Sequence, residues 1–339
     1  MRVVAAPDKC KGTLTAAAFA GAVAGAAAAA GWQCDQVPLA DGGDGTLDVL
    51  GGPNRTTMVT GPMGDPVEAA WRVERRLAVV EMARASGLVL AGGAEGNDAV
   101  AATTTGTGEL LVAALDAGAA RIIVGVGGSA TTDGGLGAIR AMEPLARFRR
   151  VRIEVACDVR IGFLDAARLF APQKGASRAE TSLLERRLQR LVQVYEEDFG
   201  VDVSGLRGAG AAGGLAGGLA AVGAVLVGGF DLVAEEVGLA ERLEGADLVV
   251  TGEGHLDEES FDGKVVGGVA ELAREVGVGV LAVVGSSDDV ELPEGVEVVS
   301  LADRFGRDRA MAEPARLVRR VVVAALGDRN RGGPGGVDD

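Results

Sequence analysis

The chain has 339 residues, 33 of them Lys or Arg and 48 Asp or Glu, for a formal charge of −15. Binding to a nucleic-acid backbone draws on a basic face, so this balance excludes nucleic acid as an expected partner and predicts an acidic surface. With 1 histidine, 3 widely spaced cysteines and 3% aromatic residues, a His-rich zinc site, a disulfide framework and a base-stacking platform are excluded as well. A reducing, cytoplasmic compartment is the expectation, and the length suits two α/β-sized domains.

In chain order, the apolar run from Arg2 to Ala6 is broken by Pro7 and followed by a polar loop and an Ala-rich stretch from Thr15 to Ala30. That predicts strand, loop and helix. The uncharged stretches from Leu14 to Trp32 and from Gly208 to Phe230 are built on Ala and Gly rather than Leu, Ile and Phe, so neither is expected to span a membrane. From Thr57 to Val80 shorter alternating segments around Gly61-Pro62 predict antiparallel hairpins. Later apolar runs, 119–126, 247–250 and 279–284, each end in a Gly-rich loop and precede a helical segment. Continuous apolar strands alternating with helices predict a parallel sheet covered on both faces. The turn Gly51-Gly52-Pro53 sets the expected boundaries: 1–52 with 238–329 as one discontinuous domain, 53–237 as a second, and a disordered tail at 330–339.

Four loops carry the candidate chemistry, and strand-end loops of an open parallel sheet converge on one crevice. Lys9 and Lys11 precede the Ala-rich helix, as an anion site or as solvated lysines beside a capped helix. In Asp41-Gly42-Gly43-Asp44-Gly45, two carboxylates can approach one Mg²⁺, although the same residues also favour plain turns. The segment 125–137 exposes amides and the hydroxyls of Ser129, Thr131 and Thr132, a cradle for phosphate or an oxyanion, with Thr107 upstream as a further donor. It fits neither the P-loop nor the dinucleotide fingerprint. The fourth, Thr251-Gly252-Glu253-Gly254-His255, adds acids with Lys264 downstream, and His255 is either an acid–base group or a hydrogen-bonding surface residue. Arg84 presents a planar fork suited to a carboxylate or to an ion pair. Lysine, arginine, acids and amide nests without a cysteine or histidine machine are the inventory of phosphoryl transfer.

The ordered set Ala6-Pro7-Asp8, Asp41-Gly42-Gly43-Asp44-Gly45-Thr46, Glu81-Met82-Ala83, Thr105-Gly106-Thr107-Gly108-Glu109, Gly127-Gly128-Ser129-Ala130-Thr131, Pro172-Gln173-Lys174-Gly175 and Thr251-Gly252-Glu253-Gly254 resembles the bacterial glycerate kinase family, type I. The resemblance implies an ATP-dependent kinase that phosphorylates D-glycerate, usually at the 2-hydroxyl. It also implies two α/β domains, one a Rossmann-like or flavodoxin-like unit built from both chain ends, beside a second mixed α/β domain.

With that activity as the frame, physical roles can be assigned. Arg84, with Ser129 and Thr131, is expected to bind the glycerate, Arg84 by clamping its carboxylate. Lys11 and Lys174 neutralise the triphosphate, and Gly127, Gly128, Thr107 and Lys264 add phosphate contacts. Mg²⁺ falls to Asp41, Asp44 or Glu253. Asp133 is expected to orient or deprotonate the substrate hydroxyl, so that Asp133→Asn slows turnover and leaves folding intact. Between Met142 and Val151, and again after Val159, the chain is shorter than the family pattern implies, and Glu259 stands where glutamine is usual. The shortened 142–165 region leaves two alternatives: a kinase for another small hydroxy acid, or a non-catalytic nucleotide-binding homologue. Homodimerisation stays open.

Overall fold

A computed structural model of the chain describes residues 1–158 and 160–331. The fold is α/β and divides into two compact units, Met1–Asp41 with the chain from Val233 onward, and Gly42–Leu232.

In the first unit the opening strand is Arg2–Ala5 and the Ala-rich helix Ala16–Ala30. Thr15 caps that helix by accepting from the Ala18 amide, and Gly31 ends it at φ 75°, in the left-handed region. Small side chains let it pack closely: Phe19, Ala20, Val23 and Ala27 share one buried cluster with Val318, Val321, Val322 and Leu326 of the C-terminal helix Pro314–Arg331. The Trp32 indole N–H donates to Asn330 Oδ1 at 2.9 Å, so Asn330 and Arg331 belong to this helix rather than to a disordered tail. The rest of that expected tail, 332–339, lies outside the described residues.

Five strands of this unit form a wholly parallel sheet, in the spatial order Val296–Ser300, Val280–Val284, Leu248–Thr251, Arg2–Ala5, Gln33–Gln36. From Arg2–Ala5 the chain first steps outward to Gln33–Gln36 and later returns to build outward on the other side. The order therefore reverses between Arg2–Ala5 and Leu248–Thr251, and ligands of such sheets bind beyond the carboxyl ends at that reversal. There the two loops run side by side: the Asp8 amide donates to the Gly252 carbonyl at 2.9 Å, and buried Thr251 donates its hydroxyl to the Ala6 carbonyl at 2.8 Å.

The second unit holds a six-stranded mixed sheet, ordered Arg55–Thr60, Pro66–Glu74, Leu77–Glu81, Arg121–Gly125, Arg152–Ala156, Val225–Val227. Its first two pairings are antiparallel, as the alternation around residue 70 implies, and the last three are parallel. The division between units lies at 41/42 rather than at 52 because the amides of Gly45 and Leu47 both donate to Glu81 Oε1 at 2.8 Å, which ties this segment to the second sheet. The other division lies at 232/233, inside the helix Gly229–Val237, rather than at 238. Among the described residues no helix is long and apolar enough to cross a membrane.

The Gly-rich stretch that begins at Gly208 wraps the 129–135 loop. Gly213 sits at φ 67°, and a Cβ there would lie 2.0 Å from the Thr131 carbonyl oxygen. Gly213→Ala is therefore expected to cost about 3 kcal/mol, from strained backbone and overpacking together, read as a lowered urea midpoint. An unchanged midpoint would show that this close approach is not needed.

Candidate active site

At the reversal point of the first unit, a buried acid, Asp8, is coupled to a half-buried one, Glu253. Asp8 is only 8% exposed; burial pushes its pKa up to about 6, Lys9 pulling it down and Asp41 adding to the rise. Burial likewise pushes Glu253 up to about 7, against a hydrogen bond from Ser260 and the charge of Lys264, with Asp8 and Asp257 reinforcing the rise. Glu253 Oε1 is buried without a hydrogen-bond partner. Lys9 Nζ lies 3.6 Å from Asp8 and 4.0 Å from Asp41, and Lys264 Nζ lies 3.4 Å from Glu259 and 3.9 Å from Asp257. Lys11 is exposed, and among the described residues it forms no ion pair. His255 is half-exposed, paired through Nδ1 with Ser286 Oγ at 2.9 Å and 3.5 Å from Asp288 through Nε2, as a hydrogen-bonding surface residue would be.

This donor set fits Mg²⁺. An orphaned carboxylate oxygen beside a second buried carboxylate attracts a divalent cation, and Mg²⁺ takes one or two carboxylates and fills its other positions with water and phosphate. Among the described residues no group of three or more His, Cys, Asp and Glu side chains assembles, so the set does not suit a cage built of protein ligands alone. Asp41 Oδ1 lies 4.0 Å from Lys9 Nζ, and the Asp44 carboxylate packs against Gly128. Asp8, part of the family motif but given no role from sequence, is the acid that accompanies Glu253. Its position one loop beyond the first strand was the available signal.

In the second unit, Asp44, Arg84, Gly127, Gly128 and Ser129 come together. Gly128 packs on the Asp44 carboxylate, where a Cβ would lie 3.1 Å from Oδ1, and a Cβ at Gly127 would lie 2.9 Å from the Gly43 backbone. These two glycines admit the neighbouring loop, and a phosphate on their amides would face a carboxylate, which argues against an open cradle. Arg84 Nε donates to Glu81 Oε2 at 2.9 Å, and its guanidinium lies 3.5 Å from Asp48, yet a third of the side chain stays exposed. Ser129 bridges to Gly87 and is 8% exposed.

Four further candidates are turned inward. Thr107 and Ser86 are fully buried and share a 2.9 Å hydroxyl contact, which leaves Thr107 no path to a phosphate. Asp133 Oδ2 accepts from the Thr104 amide and hydroxyl and the Gly137 amide at 2.8–3.2 Å, and Oδ1 accepts from the Gly135 amide at 3.1 Å. Four donors commit this carboxylate to holding its loop. Lys174 is 3% exposed and donates to the Thr131 carbonyl at 2.7 Å; burial lowers its pKa to about 7, against the opposing charge of Asp133. Thr131 is fully buried with an unpartnered hydroxyl. Asn97, not foreseen from sequence, ties these together by donating to the carbonyls of Ala130 and Lys174 at 3.0 and 2.8 Å.

The family model described as the glycerate kinase family matches residues 3–145 and 143–326. The chain belongs to the glycerate kinase family. A glycerate kinase of Halalkalibacterium halodurans is 38% identical over 330 residues, covering 86% of this chain and 84% of that one. A glycerate 2-kinase of Escherichia coli K12 is 38% identical over 338 residues, covering 86% and 87%. Among solved structures, a provisionally named glycerate kinase 2 from Salmonella typhimurium LT2 superposes with a TM-score of 0.83 at 33% identity, over 98% of this chain and 99% of that one. The glycerate kinase match divides at 143–145, at the start of the shortened region.

Proposed function

We propose that this chain transfers the γ-phosphoryl group of ATP to the 2-hydroxyl of D-glycerate, giving 2-phosphoglycerate and ADP. The observation that carries the reading is the pairing of buried Asp8 with half-buried Glu253, whose Oε1 is buried and unpartnered, at the reversal point of a parallel sheet, with Lys9 and Lys11 in the same loop as Asp8, in a chain 38% identical to a glycerate 2-kinase. Glu253 and Asp8 would hold Mg²⁺, which when bound neutralises charge on the polyphosphate. Lys11 supplies a further cation, and Lys9 limits the repulsion between Asp8 and Asp41. Arg84, its guanidinium aligned by Glu81 and Asp48, meets the carboxylate of the acid, with the Ser129 hydroxyl beside it. Lys174, Thr131 and Asp133 act as positioning residues that fix the 129–135 loop. In the transfer the hydroxyl oxygen bonds to phosphorus, the bond to the ADP oxygen breaks, and the hydroxyl proton passes to solvent or to the departing phosphates; positioning and charge neutralisation supply most of the rate.

The test is ADP release with Mg-ATP and a panel of D-glycerate, L-glycerate, glycolate and lactate. D-glycerate is expected to give a kcat/KM at least about tenfold above the rest, the difference made by one well-placed polar contact. Equal or higher turnover of another acid would favour the reading that the shortened 142–165 region redirects specificity, and no turnover of any would reject the kinase reading.

A further inference from the structure

The first unit contains a cavity of about 440 Å³, lined in part by Lys11. Its size falls within the range of small-molecule sites. One wall is apolar, made by Leu301, Ala302, Ala310, Met311 and Pro314. The lining also includes Lys11, Arg307, His255 and Ser286. Although the chain carries a charge of −15, none of the lining residues is acidic. Among the described residues neither Lys11 nor Arg307 forms an ion pair, so two uncompensated cations face the cavity.

The floor is backbone. Gly254 lies against Cys10, where a Cβ would come within 3.4 Å of the Cys10 Cα, and a Cβ at Gly285 would come within 2.5 Å of the Gly254 carbonyl oxygen. The Ala302 amide donates to the Gly285 carbonyl at 2.9 Å, fixing the apolar wall to this floor. Cys10 and Gly254 also link the cavity to the acids, since Gly254 follows Glu253 in the chain and Cys10 follows Asp8 by two residues.

Resting on the kinase reading, we propose that this cavity receives the nucleoside end of the phosphoryl donor. The base and ribose lie against Leu301, Ala302, Ala310 and Met311, and the phosphates run past Lys11 and Arg307 toward Asp8 and Glu253. An apolar lining and free cations, joined through Cys10 and Gly254 to the acids Asp8 and Glu253 that would hold a divalent cation, match the three parts of a magnesium nucleoside triphosphate. A free carboxylic acid would use the cations and leave the apolar wall uncovered.

The test combines photolabelling of the full chain by 8-azido-ATP, read by peptide mapping, with calorimetric titration of ATP and of inorganic tripolyphosphate. Label is expected within 301–314 or 254–286. Ala310→Trp, which fills the pocket, should weaken ATP at least tenfold and leave tripolyphosphate within twofold of wild type. Arg307→Ala, at an exposed position that should not disturb folding, should weaken both ligands and raise KM for ATP without changing KM for D-glycerate. Label confined to the second unit, or ATP affinity unchanged in Arg307→Ala, would overturn the cavity assignment while leaving the kinase reading intact if turnover persists. Loss of ATP binding in Ala310→Trp by a protein that turns over no hydroxy acid would uphold the cavity and reject the kinase reading.

Discussion

Glu253→Gln is expected to lower kcat with Mg-ATP and D-glycerate by about 10³-fold, as loss of a charge-positioning contact does, and at the same time to stabilise the metal-free protein at pH 8. The second effect follows from the sign of the shift. Burial raises Glu253 from 4.5 to about 7, so the folded chain holds this proton more tightly than the unfolded chain. The associated stability is fully present below the unfolded value and is lost as pH rises through about 7. At pH 8 the wild type therefore carries a buried charge that glutamine lacks, and the variant should melt about 5 °C higher; at pH 5 the two should nearly coincide. Thermal scans without divalent cations, paired with initial rates, check both arms. A variant that keeps its turnover, or that melts lower at pH 8, would contradict the assignment of Glu253 as an orphaned carboxylate awaiting a cation.

Asp133→Asn is expected to destabilise the chain by about 3 kcal/mol, with turnover falling as a consequence. On sequence alone Asp133 read as a base beside a glycine nest, and the asparagine variant was expected to fold normally. The four donors on its carboxylate reverse that expectation. Asparagine places an amide N–H₂ where the Thr104 or Gly137 amide already points a proton, so at least one buried donor loses its acceptor. Urea denaturation monitored by tryptophan fluorescence measures the loss. A variant with wild-type stability and abolished turnover would restore Asp133 as a catalytic acid–base group.

The contrast between these residues shows what the chain discloses by itself. Three strands of the first unit's parallel sheet were legible because Arg2–Ala5, Leu248–Thr251 and Val280–Val284 lie in apolar runs; the edge strands Gln33–Gln36 and Val296–Ser300 carry polar and acidic residues and were not. The hairpins near residue 70 were legible from their alternation. Gly42 and its neighbours read as a domain-internal turn because nothing local reveals that Glu81 gathers the amides of Gly45 and Leu47. Asp8 was given no role for a related reason: its loop also reads as solvated lysines beside a capped helix, and its burial arises only when the first strand pairs with Leu248–Thr251, far along the chain. Conversely, Thr107 and Lys174 lie next to glycines and so read as ligand contacts, but the packing turns them inward. Spacing reports that a loop is polar and tightly turned. It does not report which side of the loop faces solvent.

Transfer of phosphate to the 2-hydroxyl of D-glycerate is read directly from a proton–phosphorus correlation spectrum of the reaction mixture. Phosphorus coupled to the single C2 methine proton is the predicted result; coupling to the C3 methylene pair, or no phosphate-ester signal while ATP is consumed, would contradict it.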